Sequence, residues 1–172
     1  MLTSELQELA LMEWANVIDS PYLKDLPFKI ELNKWGQILM SPAGNNHGRL
    51  QYEVGRRIDK SKRGGKIIME CSIQTSDGVK VADVAWASDA FIEKYRYGTP
   101  YLKAPEICVE VISPSNSKGE IDEKVQLYLA RGALEVWVVD EDENISFYSH
   151  EGPMPNSLQV QADRDGKDRG LL

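Results

Sequence analysis

Two strand-like runs, EICVEVIS (106–113) and LEVWVVDED (134–142), flank a stretch with the capping and periodicity of a helix, and this unit constrains the fold more than any other feature. The spacing predicts a helix over 118–133, with Asn116 and Ser117 at its start and Gly132 near its end. Strands joined through a helix run parallel, and the crossover is right-handed. EICVEVIS is apolar on both faces, as a central strand covered on both sides must be.

The flanking segments extend the unit. KIIMECSIQT (66–75) and VKVADVAWAS (79–88), separated by the turn residues Ser76-Asp77-Gly78, read as strands that form a three-strand meander with EICVEVIS. HGRLQYEVGRRIDK (47–60) carries Leu50, Val54 and Ile58 on one face, and Gly64-Gly65 closes this helix. Upstream, Leu6, Leu9, Ala10, Trp14 and Val17 repeat at helical spacing, and KIELNKWGQILMSPAGNN (29–46) reads as a hairpin about Lys34-Trp35-Gly36. NISFYS (144–149) continues as an outer strand, and SLQVQ (157–161) as one more. The predicted class is α/β with a mixed α+β sheet, ordered helix, three-strand meander, helix, strand, after an N-terminal helix and hairpin. A length of 172 residues fits one domain over 1–162, and the polar 163–172 reads as a disordered tail.

Composition excludes several classes. With 42% hydrophobic and 27% charged residues the chain is neither disordered nor fibrous. No run approaches the ~18 apolar residues of a membrane helix, and Glu5 and Glu8 stand where a signal peptide carries basic residues. Cys71 and Cys108 lie in apolar strands without zinc spacing, which predicts buried thiols in a cytoplasmic compartment. A net charge of −7 opposes nonspecific coating of nucleic acid. Between Asn45 and Lys66, however, Arg49, Arg56, Arg57, Lys60, Lys62, Arg63 and Lys66 face only Glu53 and Asp59, a local charge of +5. That segment is either a solvated helix end or a phosphate-binding patch.

Within the strands two carboxylates stand out. Alternation places Asp83 on one side with Val79, Val81, Ala85 and Ala87, and Glu110 beside Cys108 and Ile112. A buried carboxylate needs a partner. On the following helix Ile121, Val125, Tyr128 and Leu129 span one arc, and Lys124 falls beside Tyr128 on the inward side. Glu53 lies at the edge of the Leu50, Val54, Ile58 stripe and offers a third carboxylate. Two carboxylates and a lysine suit metal-assisted hydrolysis of a phosphodiester. They suit equally an ion pair that fixes the helix on the sheet. His47 and His150 are isolated, with no setting for a hydrolase triad, and Trp14, Trp35, Trp86 and Trp137 read as core or rim packing.

The strings DVAWAS, PEICVEVISPSN and EIDEKVQLYLARGALEVWVVD, preceded by IELNKWGQILMSPAGNNHGRL, resemble the bacterial restriction endonuclease-like group, a domain-of-unknown-function group, of the PD-(D/E)xK nuclease superfamily. The likeness covers roughly residues 28–150. It implies a restriction-endonuclease-like core, a Mg²⁺ (or Mn²⁺) site and DNA as substrate. By motif position it makes Asp83 the metal-bridging aspartate, Glu110 the second ligand and the Val111 carbonyl a third. Two positions depart from the motif: Ala82 replaces its proline, and Ile112 stands where the simplest version has lysine. Lys124 matches branches in which that lysine has moved onto the following helix. Glu53 matches an acidic residue on the first core helix, and Arg56, Arg57, Lys60, Lys62 and Arg63 would hold phosphates. An open sheet in a small chain, and the two cuts of a double-strand break, favour a homodimer. The alternative is a nuclease-fold protein that binds nucleic acid or a protein partner without cleaving.

Overall fold

The computed structural model describes residues 4–161, so the tail expected over 163–172 lies outside the described residues. Helix α1 (Ser4–Asp19) is followed by the hairpin β1 (Phe28–Leu32) and β2 (Ile38–Pro42), an antiparallel two-stranded sheet of its own. Helix α2 (Asn45–Ser61) leads into β3 (Lys66–Thr75), β4 (Gly78–Ala87), α3 (Asp89–Tyr95), β5 (Ile107–Val111), α4 (Lys118–Ala130), β6 (Glu135–Val139), β7 (Ile145–Ser149) and β8 (Gly152–Met154). The six strands β3 to β8 form one sheet in chain order. Each neighbouring pair is antiparallel except β5 and β6, which are parallel and joined through α4. This is the crossover that the sequence predicts.

Helices cover both faces. Leu50, Val54 and Ile58 of α2 pack on Val84, Trp86, Val109, Val111 and Trp137 on one side. Ile121, Val125, Tyr128 and Leu129 of α4 pack with Ala85, Cys108 and Val136 on the other. Side chains of β5 therefore alternate between two buried layers, which is why its sequence is apolar on both faces apart from Glu110. A reciprocal capping box holds the start of α4: Ser117 Oγ accepts from Glu120 N, and Glu120 Oε2 accepts from Ser117 N.

The hairpin sits on the end of β4 that projects beyond β5. Leu32 packs there with Trp14, Val79 and Val81 in a small separate core. Gly78, at φ +77°, turns the chain tightly against the backbone of Leu32 and Asn33, and a β-carbon there would overlap both carbonyls.

Two expectations need correction, and one helix was not foreseen. SLQVQ is not a strand: the backbone N–H groups of Leu158 and Gln159, with Ser157 Oγ, donate to the buried Glu135 carboxylate, so this segment is tied down as a loop. The outer hairpin closes instead through β8. Trp35 is 72% exposed in the β1–β2 turn, beneath the Lys34 ammonium at 4.5 Å, whereas Trp14, Trp86 and Trp137 are buried. Helix α3, capped by Ser88 Oγ, has no counterpart in the sequence reading.

Candidate active site

Strands β4 and β5 pair only from Val84 to Trp86 and then part. At the fork Asp83 Oδ2 accepts the Val111 N–H at 2.7 Å, replacing a ladder bond with a side-chain bond. The gap admits groups from three other elements to the same carboxylate. Asp83 Oδ1 accepts from Lys29 Nζ of β1 at 2.9 Å and Gln51 Nε2 of α2 at 3.4 Å, and His47 Nε2 lies 3.3 Å away. Residue 70 lies across the β3–β4 ladder from Asp83, where Glu70 takes φ +51°, and its carboxylate accepts from Gln51 Nε2 at 2.5 Å. Left-handed backbone at a non-glycine residue is strained, and such strain collects at functional sites.

Glu110, next along β5, stands on the α4 side. Its Oε1 accepts from the fully buried Tyr128 hydroxyl at 2.6 Å, and its Oε2 lies 3.3 Å from both Lys29 Nζ and Lys124 Nζ. Lys124 also donates to Glu31 Oε1 at 2.8 Å, and that oxygen accepts the Val81 N–H at 2.7 Å. Four carboxylates thus surround two ammonium groups and one imidazole within a single hydrogen-bonded cluster.

The environment drives the two central carboxyls apart. Burial opposes ionisation of Asp83, but Lys29, His47 and the Val111 N–H outweigh it and hold this carboxyl down at about 2. Burial pushes the Glu110 carboxyl up, with Lys124 and Lys29 offsetting only part of it. Burial also raises Glu70 against the Gln51 hydrogen bond. For Lys29 burial works downward, yet Glu110, Asp83 and Glu31 together lift the ammonium above its ordinary range. The hydrogen bond to Asp83, opposed by burial, raises His47 above its usual 6.5.

A cleft of about 20 Å³, lined by Lys29, His47, Glu110, the Val111 segment and Lys124, lies over the cluster, room for one water-sized group. Larger grooves adjoin it on both sides. One of about 390 Å³ shares Ser41, Asn116 and Lys124 with the cleft, and one of about 500 Å³ shares Pro42, Ala43, His47 and Ser113.

Two carboxylate oxygens of the cluster converge on one position, the chemistry that a hard divalent cation would use. Asp83 Oδ1 and Glu110 Oε2 both already contact one cation, the Lys29 ammonium, at 2.9 and 3.3 Å. Among the described residues no three or more His, Cys, Asp or Glu side chains form a ready-made metal cage. Mg²⁺ does not need one, because it is held by one or two carboxylates with water and substrate phosphate completing the shell.

Of the residues singled out in the sequence, Asp83, Glu110, Lys124 and the Val111 backbone come together. Glu53 does not join them; its carboxylate is taken by Arg56 at 2.8 and 3.1 Å on the outer side of α2. The face of α2 turned to the site is instead His47 and Gln51, one turn apart. Lys29, Glu31, Gln51 and Glu70 escaped the sequence reading, and His47, expected to be isolated, stands 3.3 Å from Asp83 Oδ1. The strict alternation of KIEL, with Lys29 and Glu31 on one face, was the available signal. The basic residues lie toward the far end of α2, with Lys60 about 20 Å along the axis from His47. There Lys62 Nζ stands 4.3 Å over the Trp86 ring.

The family model described as "Uma2: Putative restriction endonuclease" matches residues 21–168. The chain belongs to the Uma2 family. A crystal structure described as that of a "putative nuclease belonging to DUF820" from Anabaena variabilis aligns with a TM-score of 0.60 and 20% identity, covering 70% of this chain and 71% of that one. At that identity the likeness establishes the fold, and the mixed sheet of this Uma2 protein is the nuclease-like fold of its neighbour. No curated protein matches the chain. Among the described residues, no helix is long and apolar enough to cross a membrane.

Proposed function

We propose that this protein is a divalent-metal-dependent phosphodiester hydrolase acting on DNA. The observation that carries the reading is the pairing of Asp83 and Glu110 across the β4–β5 fork around one cation position, with Lys124 on α4 at 3.3 Å from Glu110. Asp83, Glu110 and the Val111 carbonyl are the residues that would hold Mg²⁺ or Mn²⁺. The ion, when bound, supplies an acidified water and offsets charge on the phosphoryl group.

The chain's own groups do the positioning. Asp83, kept ionised by its donors, is ready to ligate without first losing a proton. Glu31, anchored by the Val81 N–H, fixes the Lys124 ammonium where it can orient a water or a phosphate oxygen. Tyr128 and Val111 N–H hold the far oxygens of the two carboxylates, leaving Asp83 Oδ1 and Glu110 Oε2 to meet at Lys29. The two grooves flanking the cleft offer a path for the strand on either side of the scissile bond. Arg57, Lys60 and Arg63, with Arg56 and Lys62, would meet backbone phosphates about two helical turns and more from His47. Glu53 serves α2 through Arg56 rather than the reaction. Two cuts in a duplex call for two copies, which makes a homodimer part of the reading, and the buried thiols suit a cytoplasmic setting.

The test is nicking of supercoiled plasmid with Mg²⁺ or Mn²⁺ by wild type, Asp83→Ala and Lys124→Met. Cleavage by wild type alone supports the assignment, whereas equal cleavage by Asp83→Ala removes it.

One observation favours a second reading, binding without cleavage: both central carboxylates are already paired with the Lys29 ammonium. It predicts DNA retention that is indifferent to divalent ions.

A further inference from the structure

The Lys29 ammonium occupies the place in this cluster where the carboxylates converge. Asp83 Oδ2 is committed to Val111 N and Glu110 Oε1 to Tyr128, so Oδ1 and Oε2 are the oxygens left to face one another, and Lys29 Nζ bridges them at 2.9 and 3.3 Å. A dication held by both oxygens and an ammonium held by both oxygens compete for one position. Lys124 has no such conflict, because its shorter contact, 2.8 Å, is to Glu31 on the far side of Glu110. Lys29 is also mounted differently from the carboxylates. It rises from β1, in a hairpin that belongs to its own two-stranded sheet, and its side chain lines the cleft, so it can leave the bridge without breaking a ladder of the main sheet.

We propose that Lys29 is a tethered resident cation, and that a divalent ion enters the site only in exchange for it. The proposal rests on the metal-dependent reading above and adds a device to it: metal uptake by the free protein is held weak by an internal competitor, while the two buried carboxylates stay compensated when no metal is present.

The experiment is calorimetric titration of Mn²⁺ into the full chain as wild type, Lys29→Met and Lys29→Gln, without nucleic acid and again with a short DNA duplex. Gln keeps a donor for Asp83 but carries no charge, so it guards against a Met variant that fails to fold. Circular dichroism is recorded alongside, because an exchange mechanism also predicts that Mn²⁺ restores the structure that Lys29→Met loses. Removing a positive charge a few ångströms from the bound ion should tighten Mn²⁺ binding tenfold or more in either variant. Affinity equal to wild type, or weaker, overturns the exchange while leaving the metal site standing. No binding by any of the three proteins, even with DNA, overturns the exchange together with the metal-dependent reading.

Discussion

Val111 N–H donates to Asp83 Oδ2 at 2.7 Å at the point where β4 leaves β5. One hydrogen bond thereby ends a strand pairing and fixes the carboxylate around which Lys29, His47 and Gln51 gather. The fork is a local failure of the ladder, and its open space is what makes the site.

The Tyr128 hydroxyl donates to Glu110 Oε1 at 2.6 Å, inside the layer beneath α4. Tyr128→Phe leaves that oxygen without it, at a cost of about 1–3 kcal/mol. Urea unfolding should show the midpoint lowered with an unchanged slope. A stability equal to wild type would mean that water replaces the hydroxyl.

Acid stability follows from Asp83. Its folded value of about 2 lies below the ordinary 3.8, so the unfolded chain binds more protons in that window and stability rises with pH there. The contribution, of order 2 kcal/mol, is complete above about pH 4 and is lost as pH falls toward 2. Denaturant unfolding at a series of pH values should show this loss in wild type and not in Asp83→Asn. His47 has the opposite sign: raised above 6.5, it adds stability on the acid side of that value that disappears as pH rises through its folded value, and His47→Gln should remove that slope.

Both thiols should be silent in the native protein. Burial pushes Cys71 up to about 12 and Cys108 well above its ordinary value, and both are enclosed. A thiol reagent at pH 8 should label neither until denaturant is added, and then both. Rapid labelling of the folded chain would show that the β3–β5 layer opens readily.

Much of this site can be read in the chain, and the remainder has a physical reason for being hidden. Lys124 is found by helical arithmetic, because it lies about 40° from Tyr128, between it and the buried Leu127. Asp83 and Glu110 declare themselves as charges inside apolar strands. Lys29 and Glu31 do not, since an alternating KIEL is equally the pattern of an ordinary surface hairpin, and the partners that bury them lie 54 and 93 residues away. Glu53 misleads because the edge of an apolar stripe does not say which edge meets the site; His47 and Gln51 occupy the other. SLQVQ alternates like a strand, but the Glu135 carboxylate captures the very N–H groups that pairing would need.

If the basic end of α2 holds DNA, Arg57→Ala with Lys60→Ala should weaken duplex binding about tenfold near 0.1 M salt. The slope of log affinity against log salt should fall by about 2. A double variant whose binding and salt slope match wild type would move the DNA contacts to another surface.

In the proposed reaction Asp83 anchors a divalent metal site. Its most direct test is calorimetric titration of Mn²⁺ into wild type and Asp83→Ala, each with an equimolar DNA duplex so that substrate phosphate can complete the shell. Wild type should bind saturably and Asp83→Ala should not, with both proteins folded by circular dichroism. Equal binding by the two, or none by wild type, would contradict that role.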